Sequence, residues 1–241
     1  MELKPVRTDN QDFRGNAYEV GQELAAHPAE AQKVLRNTYL LLAVTMVPTI
    51  IGAMAGMAFA PVMMASPIIP FVVMLASIIG LQFGIVAYRN SGIGIALLLL
   101  MTGLFGVFLG PLLNVALSMR NGMELVGYAA AGTGIIFFAM GALASTIKRD
   151  LSFMGKFLFV GMIALLIAMV ANMFLQIPAL ALTISTLVIV VFSLFLLYDL
   201  NRIIRGGETN YVIATTGVYI SLLNIFSSLL HLLMALGGER D

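Results

Sequence analysis

The stretch PALALTISTLVIVVFSLFLLY, residues 178–198, contains no charged side chain, and the acid Asp199 follows it directly. A helix needs roughly 20 predominantly apolar residues to cross the hydrocarbon core of a bilayer. The stretch therefore predicts a transmembrane helix, with Asp199 inside or at the edge of its apolar span.

The rest of the chain has the same character, since 60% of its 241 residues are hydrophobic and only 10% are charged. A soluble domain is about 45–50% apolar and about 25% charged, so a soluble fold cannot bury this excess. Proline, glycine and charged turns divide the apolar region into seven stretches of spanning length. We predict an all-α polytopic membrane protein with seven transmembrane helices, at residues 38–60, 68–88, 92–117, 123–147, 153–175, 178–199 and 209–236.

The basic residues predict the orientation of these helices. When the segments between the spans are assigned alternately to two sides, one side holds only Arg120 and Arg240 of the 13 lysines and arginines. Basic residues concentrate on the cytoplasmic side of membrane proteins. We therefore expect a cytoplasmic tail at residues 1–36, a transmembrane domain at 37–236 and a short tail at 237–241 outside the cytoplasm.

The inventory of reactive side chains argues against an enzyme. The chain has no cysteine and two histidines, and neither histidine has a partner at metal-ligand spacing, so we expect no metal and no cofactor. Intramembrane aspartyl proteases need two acids that share a proton, and a single intramembrane acid cannot supply that pair. Nothing in the sequence indicates a nucleic-acid partner, and the oligomeric state stays open.

Asp199 is the first candidate functional residue, because acids inside a membrane are costly and often functional. Two interpretations stay open. Asp199 reaches interfacial water or pairs with Arg202, three residues along the helix, or it senses protons or ions.

The last span carries Tyr219, Ser221 and Asn224 near its middle. Hydrogen bonding between helices is the expected role of these side chains, and of Gln82 and Asn172. In the alternative interpretation they take part in proton or ion sensing, and Asp199, Asn224 and Tyr219 line a pathway. Glycine pairs at four-residue spacing, Gly52/Gly56, Gly80/Gly84 and Gly106/Gly110, predict close packing of helix backbones.

Lys148, Arg149 and Asp150 form a charged cluster after the fourth span. Such a cluster fixes topology at the lipid headgroups, and contact with a protein partner is the alternative.

Four stretches resemble motifs of the Bax inhibitor-1 (TMBIM-like) family. They are TIKRDLSFMG at 146–155, LGPLL at 109–113, YDLN at 198–201 and VYISLLNIF at 218–226. The resemblance implies a seven-helix Bax inhibitor-1-like bundle, and it covers most of the chain from the first span onward.

A further resemblance is to a bacterial inner-membrane branch of this family, carried by QKVLRNTY (32–39), VANMFLQIPAL (170–180) and GGETNY (206–211). This branch implies a non-enzymatic regulator that binds and modulates an FtsH-type membrane protease in membrane-protein quality control. The partners would then be that protease and the lipid bilayer.

The resemblance also implies an alternative function, a pH-sensitive calcium or cation leak. Calcium-leak members of the family carry two aspartates, one in each of the last two spans. Asp199 matches the first, but Ser221 stands at the place of the second. A serine cannot carry the second charge, so the sequence favours the protease-modulating branch.

Overall fold

The computed structural model describes residues 10–66, 68–149 and 151–237, with side chains described from residue 29 onward. Within these ranges the protein is entirely helical, without a strand. Seven helices follow one another along the chain: α1 (Asn10–Ala65), α2 (Ile68–Ala87), α3 (Gly92–Leu117), α4 (Gly122–Thr146), α5 (Met154–Leu175), α6 (Pro178–Ile204) and α7 (Tyr211–Gly237).

All seven helices are long and apolar enough to cross a membrane, with Ala29–Ala65 as the candidate span of α1. The predicted fold class and number of spans are confirmed. Large apolar side chains cover the outside of the bundle. Phe83, Phe138 and Phe157, for example, expose 74–79% of their surface, as expected where lipid replaces water around the protein.

One predicted boundary, at Pro61, differs from the structure, and α1 and α6 extend beyond the spans predicted within them. No break separates the tail expected at residues 1–36 from the first span, because α1 is continuous from Asn10. Pro61, expected to open the first loop, lies inside α1, and the chain turns at Ser66. Membrane helices tolerate such prolines because neighbouring groups satisfy the freed carbonyl. The sixth helix continues to Ile204, so Asp199 lies within it and not at its end.

The closest helix pair is α1 with α3, and glycine permits the approach. A Cβ atom built on Gly106 would lie 2.1 Å from the carbonyl oxygen of Thr49, and one on Gly56 would lie 2.1 Å from that of Val107. The predicted role of the pairs Gly52/Gly56 and Gly106/Gly110 in close backbone packing is confirmed. Gly80 differs, because a Cβ atom there would have no neighbour within 4 Å.

The core lies around α6 and α7, which pack on each other and are both covered by α4. Leu196, Leu200, Val218 and Ile225 are fully buried there. Two helices are peripheral. α2 packs mainly on α3, and α5 packs on α6 but has no extensive contact with α3, α4 or α7 within the described residues.

The loops α2–α3, α4–α5 and α6–α7 lie at one end of the bundle, here named the basic end because Arg89, Lys148, Arg149 and Arg205 are located there. The Asn210 side-chain amide donates to the Arg89 carbonyl (3.0 Å) and the Asn90 side chain (2.8 Å). Asn210 Oδ1 also accepts the backbone N–H groups of Val212 and Ile213. Asn210 is therefore the N-cap of α7.

The opposite end is closed by a contact between the α3–α4 turn and the end of α7. The side-chain amide of Asn121 donates to the carbonyl of Gly237, at 2.7 Å. Of the C-terminal tail expected at 237–241, only Gly237 is among the described residues, and it is the last residue of α7.

Candidate functional site

A cavity of about 130 Å³, here named the acid cavity, lies between α2, α6 and α7 near the basic end. Asp199 contributes its carboxylate, and a Cβ atom on Gly217 of α7 would lie only 2.7 Å from Asp199 Oδ2. Gln82 reaches the cavity from α2, and its Oε1 atom is buried without a hydrogen-bond partner among the described residues. The volume is sufficient for several water molecules. The other lining residues are Arg202, Ile203, Glu208, Ile213, Ala214, Thr216 and Ile220.

The expected ion pair between Asp199 and Arg202 is not formed. Arg202 Nη2 lies 3.4 Å from Glu208 Oε2, and its Nε donates to the Gly207 carbonyl at 3.2 Å. The chain reverses at Gly206, whose φ of 75° suits glycine, and this turn carries Glu208 back to the arginine. Within the described residues the carboxylate of Asp199 makes no salt bridge.

Tyr219 belongs to a second polar group, here named the Tyr219 cluster, made of Tyr219, Thr49, Thr45 and Thr102. The hydroxyls of Tyr219 and Thr49 are 2.7 Å apart. Thr49 donates to the Thr45 carbonyl at 2.7 Å, and the Tyr219 hydroxyl lies 3.2 Å from the Thr102 carbonyl. The cluster joins α1, α3 and α7, so the predicted interhelical role of Tyr219 is confirmed.

Asn224 lines a third polar region, a crevice of about 400 Å³ here named the polar crevice. It lies in the half of the bundle away from the basic end, since it includes Asn172 near the end of α5 and Ser185 near the start of α6. Ser185 Oγ and His231 Nδ1 are 2.9 Å apart. The crevice is lined by Leu112, Met169, Asn172, Met173, Ala181, Ile184, Ser185, Asn224, Ser227, Ser228 and His231.

Four of the five side chains expected to hydrogen-bond between helices make no such bond in the described part of the chain: Ser221, Asn224, Gln82 and Asn172. Asn224 Nδ2 donates to Ile220 of its own helix, at 2.8 Å. Asn172 Oδ1 accepts from the backbone N–H of Ile177, at 3.1 Å, and so closes the end of α5.

Asn201 and Arg205 hold the α4–α5 loop. Asn201 is fully buried. Its Oδ1 accepts from the N–H of Leu151 at 3.2 Å, and its Nδ2 lies 3.4 Å from the carbonyl oxygens of Ala144 and Ile147. Arg205 also donates to Ile147, at 2.5 Å. The YDLN and TIKRDLSFMG stretches are thus in direct contact.

This support leaves the loop's basic side chains accessible. Lys148 and Arg149 are exposed, and the Arg149 guanidinium lies 5.2 Å from the centre of the Phe153 ring. Asp150, the third residue predicted for partner contact, lies outside the described residues. Accessible cations on a fixed loop suit contact with a protein partner or with headgroups.

The residues predicted for ion or proton sensing are distributed over the bundle. Asp199 and Arg202 line the acid cavity, Asn224 lines the polar crevice, and Tyr219 lies in its own cluster. Ser221 is buried in α7 and lines neither region. The sensing role stays a prediction. No group of three or more His, Asp or Glu side chains among the described residues is arranged to hold a metal ion.

Sequence reasoning missed three residues of these sites. The sequence pattern does not single out Thr49 or Glu208, and it indicates for His231 only a histidine without a partner at metal-ligand spacing. The spacing of Thr45 and Thr49, one helical turn apart, was the available signal for a polar face on α1.

The fold and these sites define the class: a polytopic α-helical membrane protein with small polar cavities inside an apolar bundle. Residues 31–238 match the family model described as Bax1-I, inhibitor of apoptosis-promoting Bax1. The chain belongs to this family, as the sequence motifs predicted.

Bacterial relatives cover most of the chain. An uncharacterized membrane protein of Vibrio cholerae is 43% identical over 85% of this chain and 90% of its own length. An uncharacterized protein of Neisseria meningitidis is 41% identical over 90% of this chain and 97% of its own. A protein of Escherichia coli K12 named modulator of FtsH protease YccA is 42% identical over 83% of this chain and 89% of its own.

Proposed function

We propose that this protein is a non-enzymatic regulator in the bacterial inner membrane, which binds an FtsH-type membrane protease and modulates its activity. One observation carries the proposal: the 42% identity, over 201 residues, to the Escherichia coli protein named for modulation of that protease. A second Escherichia coli relative, 42% identical, is named inner membrane protein YccA.

The proposed orientation puts the basic end in the cytoplasm. The distribution of lysine and arginine supports it, with an inside N-terminus and an outside C-terminus. Residues 10–37 of α1 precede the predicted first span at residues 38–60. At about 1.5 Å per residue they extend the helix by about 40 Å, which gives a membrane-anchored protease a segment to engage beyond the bilayer.

The α4–α5 loop supplies the proposed contact surface at the same end. Lys148 and Arg149 are exposed on a backbone fixed by Asn201 and Arg205. A pre-organised surface binds with less loss of conformational entropy than a flexible one. Because the loop and the N-terminal segment are proposed to lie on the same side of the membrane, one protease can contact both.

Co-purification from native membranes tests the proposal. Removal of residues 1–25 should leave insertion intact, because the predicted first span begins at residue 38, and should reduce recovery of the protease. Unchanged recovery, together with unchanged turnover of protease substrates in cells with and without this protein, would contradict the proposal.

A point variant tests the loop separately. Arg149→Gln should lower recovery of the protease. Arg89→Gln is the matched control, because it removes one exposed positive charge at the basic end from a different loop. Equal recovery with the two variants would remove the loop from the proposed interface.

The acid cavity favours a second candidate function, a cation leak. It brings the Asp199 carboxylate together with the buried, unpartnered Gln82 Oε1, and oxygen ligands are those that hard cations prefer. In calcium-dye-loaded liposomes Asp199→Asn should abolish uptake. Glu124→Gln, which removes an acid at the start of α4 outside the cavity, should not. Equal uptake by all three proteins would exclude Asp199 as the sensor.

A further inference from the structure

The polar crevice is an open groove lined by residues of α3, α5, α6 and α7. Met169 and Met173 of α5 form one wall, and Ser227 of α7 contributes to the other. Ser185 of α6 lies between them. α5 and α7 have no extensive contact with each other in the described structure, so the crevice lies between two helices that do not pack closely.

The groove carries hydrogen-bonding atoms that the bundle leaves unused. Asn224 donates through Nδ2 to its own helix, and Asn172 accepts through Oδ1. His231 uses Nδ1 with Ser185. Asn224 Oδ1, Asn172 Nδ2 and His231 Nε2 have no hydrogen-bond partner among the residues described. These three atoms are not enclosed in the protein, since the buried side-chain atoms without a partner in the described residues are Thr38 Oγ1 and Gln82 Oε1. They are open to the groove, so a ligand that enters it can supply their hydrogen-bond partners.

The composition of the lining restricts what can bind. No charged side chain is among the lining residues, so the groove offers no countercharge for a phosphate headgroup and no carboxylate for a metal ion. A ligand that presents hydroxyl and carboxamide groups can form hydrogen bonds with the uncharged polar side chains that line the groove. These groups, on the face of a transmembrane helix, hydrogen-bond across helix interfaces in membranes.

We propose that the polar crevice is a docking groove for a transmembrane helix of a partner protein, one that presents uncharged hydrogen-bonding side chains at the depth of Asn224. The identity of the partner rests on the proposed function: the helix is a membrane segment of the FtsH-type protease. The polar crevice and the α4–α5 loop lie in opposite halves of the bundle and do not overlap. A partner that spans the membrane can therefore contact both.

Disulfide scanning tests the groove, because the chain has no cysteine and each variant carries a single thiol. Met173→Cys places the thiol in the groove. Phe174→Cys is the matched control, since the next residue of α5 is 71% exposed and does not line the crevice. Each variant is oxidised in native membranes beside a protease that carries single cysteines at successive positions of its membrane segments.

The expected result is a disulfide at Met173→Cys, at partner positions spaced three or four residues apart, with a yield at least fivefold above Phe174→Cys. Adding Asn224→Leu should lower that yield about threefold, the effect of one typical interhelical hydrogen bond. Asn224→Leu removes a polar group from an apolar span, and gel filtration of the variant checks that it is folded.

Three outcomes would overturn the docking groove. They are equal yields at the two positions, a disulfide between two copies of Met173→Cys in place of the partner, and no disulfide while the protease still co-purifies. The last result leaves the proposed function standing. Loss of co-purification for the unaltered protein would instead contradict the proposed function itself.

Discussion

The hydroxyl oxygens of Thr49 and Tyr219 are 2.7 Å apart in the interior of the bundle, although the residues are 170 positions apart in the sequence. Both residues are buried. This hydrogen bond links α1 to α7 next to the glycine-mediated contact of α1 with α3. Substitutions at Thr49 and Tyr219 therefore test how strongly the first and last helices are held together.

Tyr219→Phe should destabilise the protein by about 0.6–1.7 kcal/mol, that is, between the average and the largest value found for hydrogen bonds between membrane helices. Thr49→Val should have a similar effect. The double variant should lose less than the sum, because each change removes the same bond. Thermal unfolding in detergent provides the measurement, and strict additivity of the two effects would contradict the link.

The α1–α3 contact gives a sharper contrast between two glycines. Gly106→Ala should cost about 3 kcal/mol or more, because its Cβ atom would meet the Thr49 carbonyl at 2.1 Å and the two backbones would have to separate. Gly80→Ala is the control, since its Cβ atom meets nothing within 4 Å. It should be neutral or stabilise by up to about 1 kcal/mol. Similar melting temperatures for the two variants would refute the close approach.

The contact between Gly217 and Asp199 in the acid cavity is tested by adding a methyl group at position 217 of α7. Gly217→Ala should destabilise by about 1–3 kcal/mol, because the new Cβ atom would lie 2.7 Å from Asp199 Oδ2. Asp199→Ala removes that oxygen, so the same change should cost less than half as much in an Asp199→Ala background. In an Asp199→Asn background the full cost should remain. A cost independent of residue 199 would mean that the two residues do not meet.

Asn201 is expected to control exposure of the α4–α5 loop to proteases. Asn201→Ala removes the acceptor for the N–H of Leu151, and an unsatisfied buried group costs about 1–3 kcal/mol. Local opening should then speed tryptic cleavage at Lys148 or Arg149 about tenfold. The cleavage rate is measured on the purified protein by mass spectrometry. Ser145→Ala is the control, because its hydroxyl bonds only within α4. Equal cleavage rates for the two variants would count against the clamp.

Much of the fold was predictable, because span length and loop charge are properties of local sequence. The third span was predicted at the bounds that α3 has, and the fifth within one residue of α5. Glycine was among the signals that divided the apolar stretches, and the chain does reverse at Gly206, after the sixth helix. A prediction was wrong where the structure does not follow a local signal. Proline usually ends a helix, but α1 continues through Pro61.

The candidate sites were less predictable from sequence. Asp199 was distinguished because an acid beside an apolar span is costly, and the cavity around it is consistent with that interpretation. Pairing with Arg202, one of the interpretations left open for Asp199, is not found in the described residues. Arg202 lies one turn away on the same helix, but the backbone reversal at Gly206 brings Glu208 to it instead. The polar crevice could not be inferred, since its residues come from four separate helices.

The sequence by itself determined that this is a seven-helix membrane protein and which residues are polar within its spans. Hydrophobic length and charge act residue by residue along the chain, so they can be evaluated without coordinates. Only the tertiary structure decided which polar groups meet. Contacts such as Thr49 with Tyr219 and Asn201 with Leu151 depend on the rotation and separation of packed helices, which are set by side-chain fit across the whole bundle.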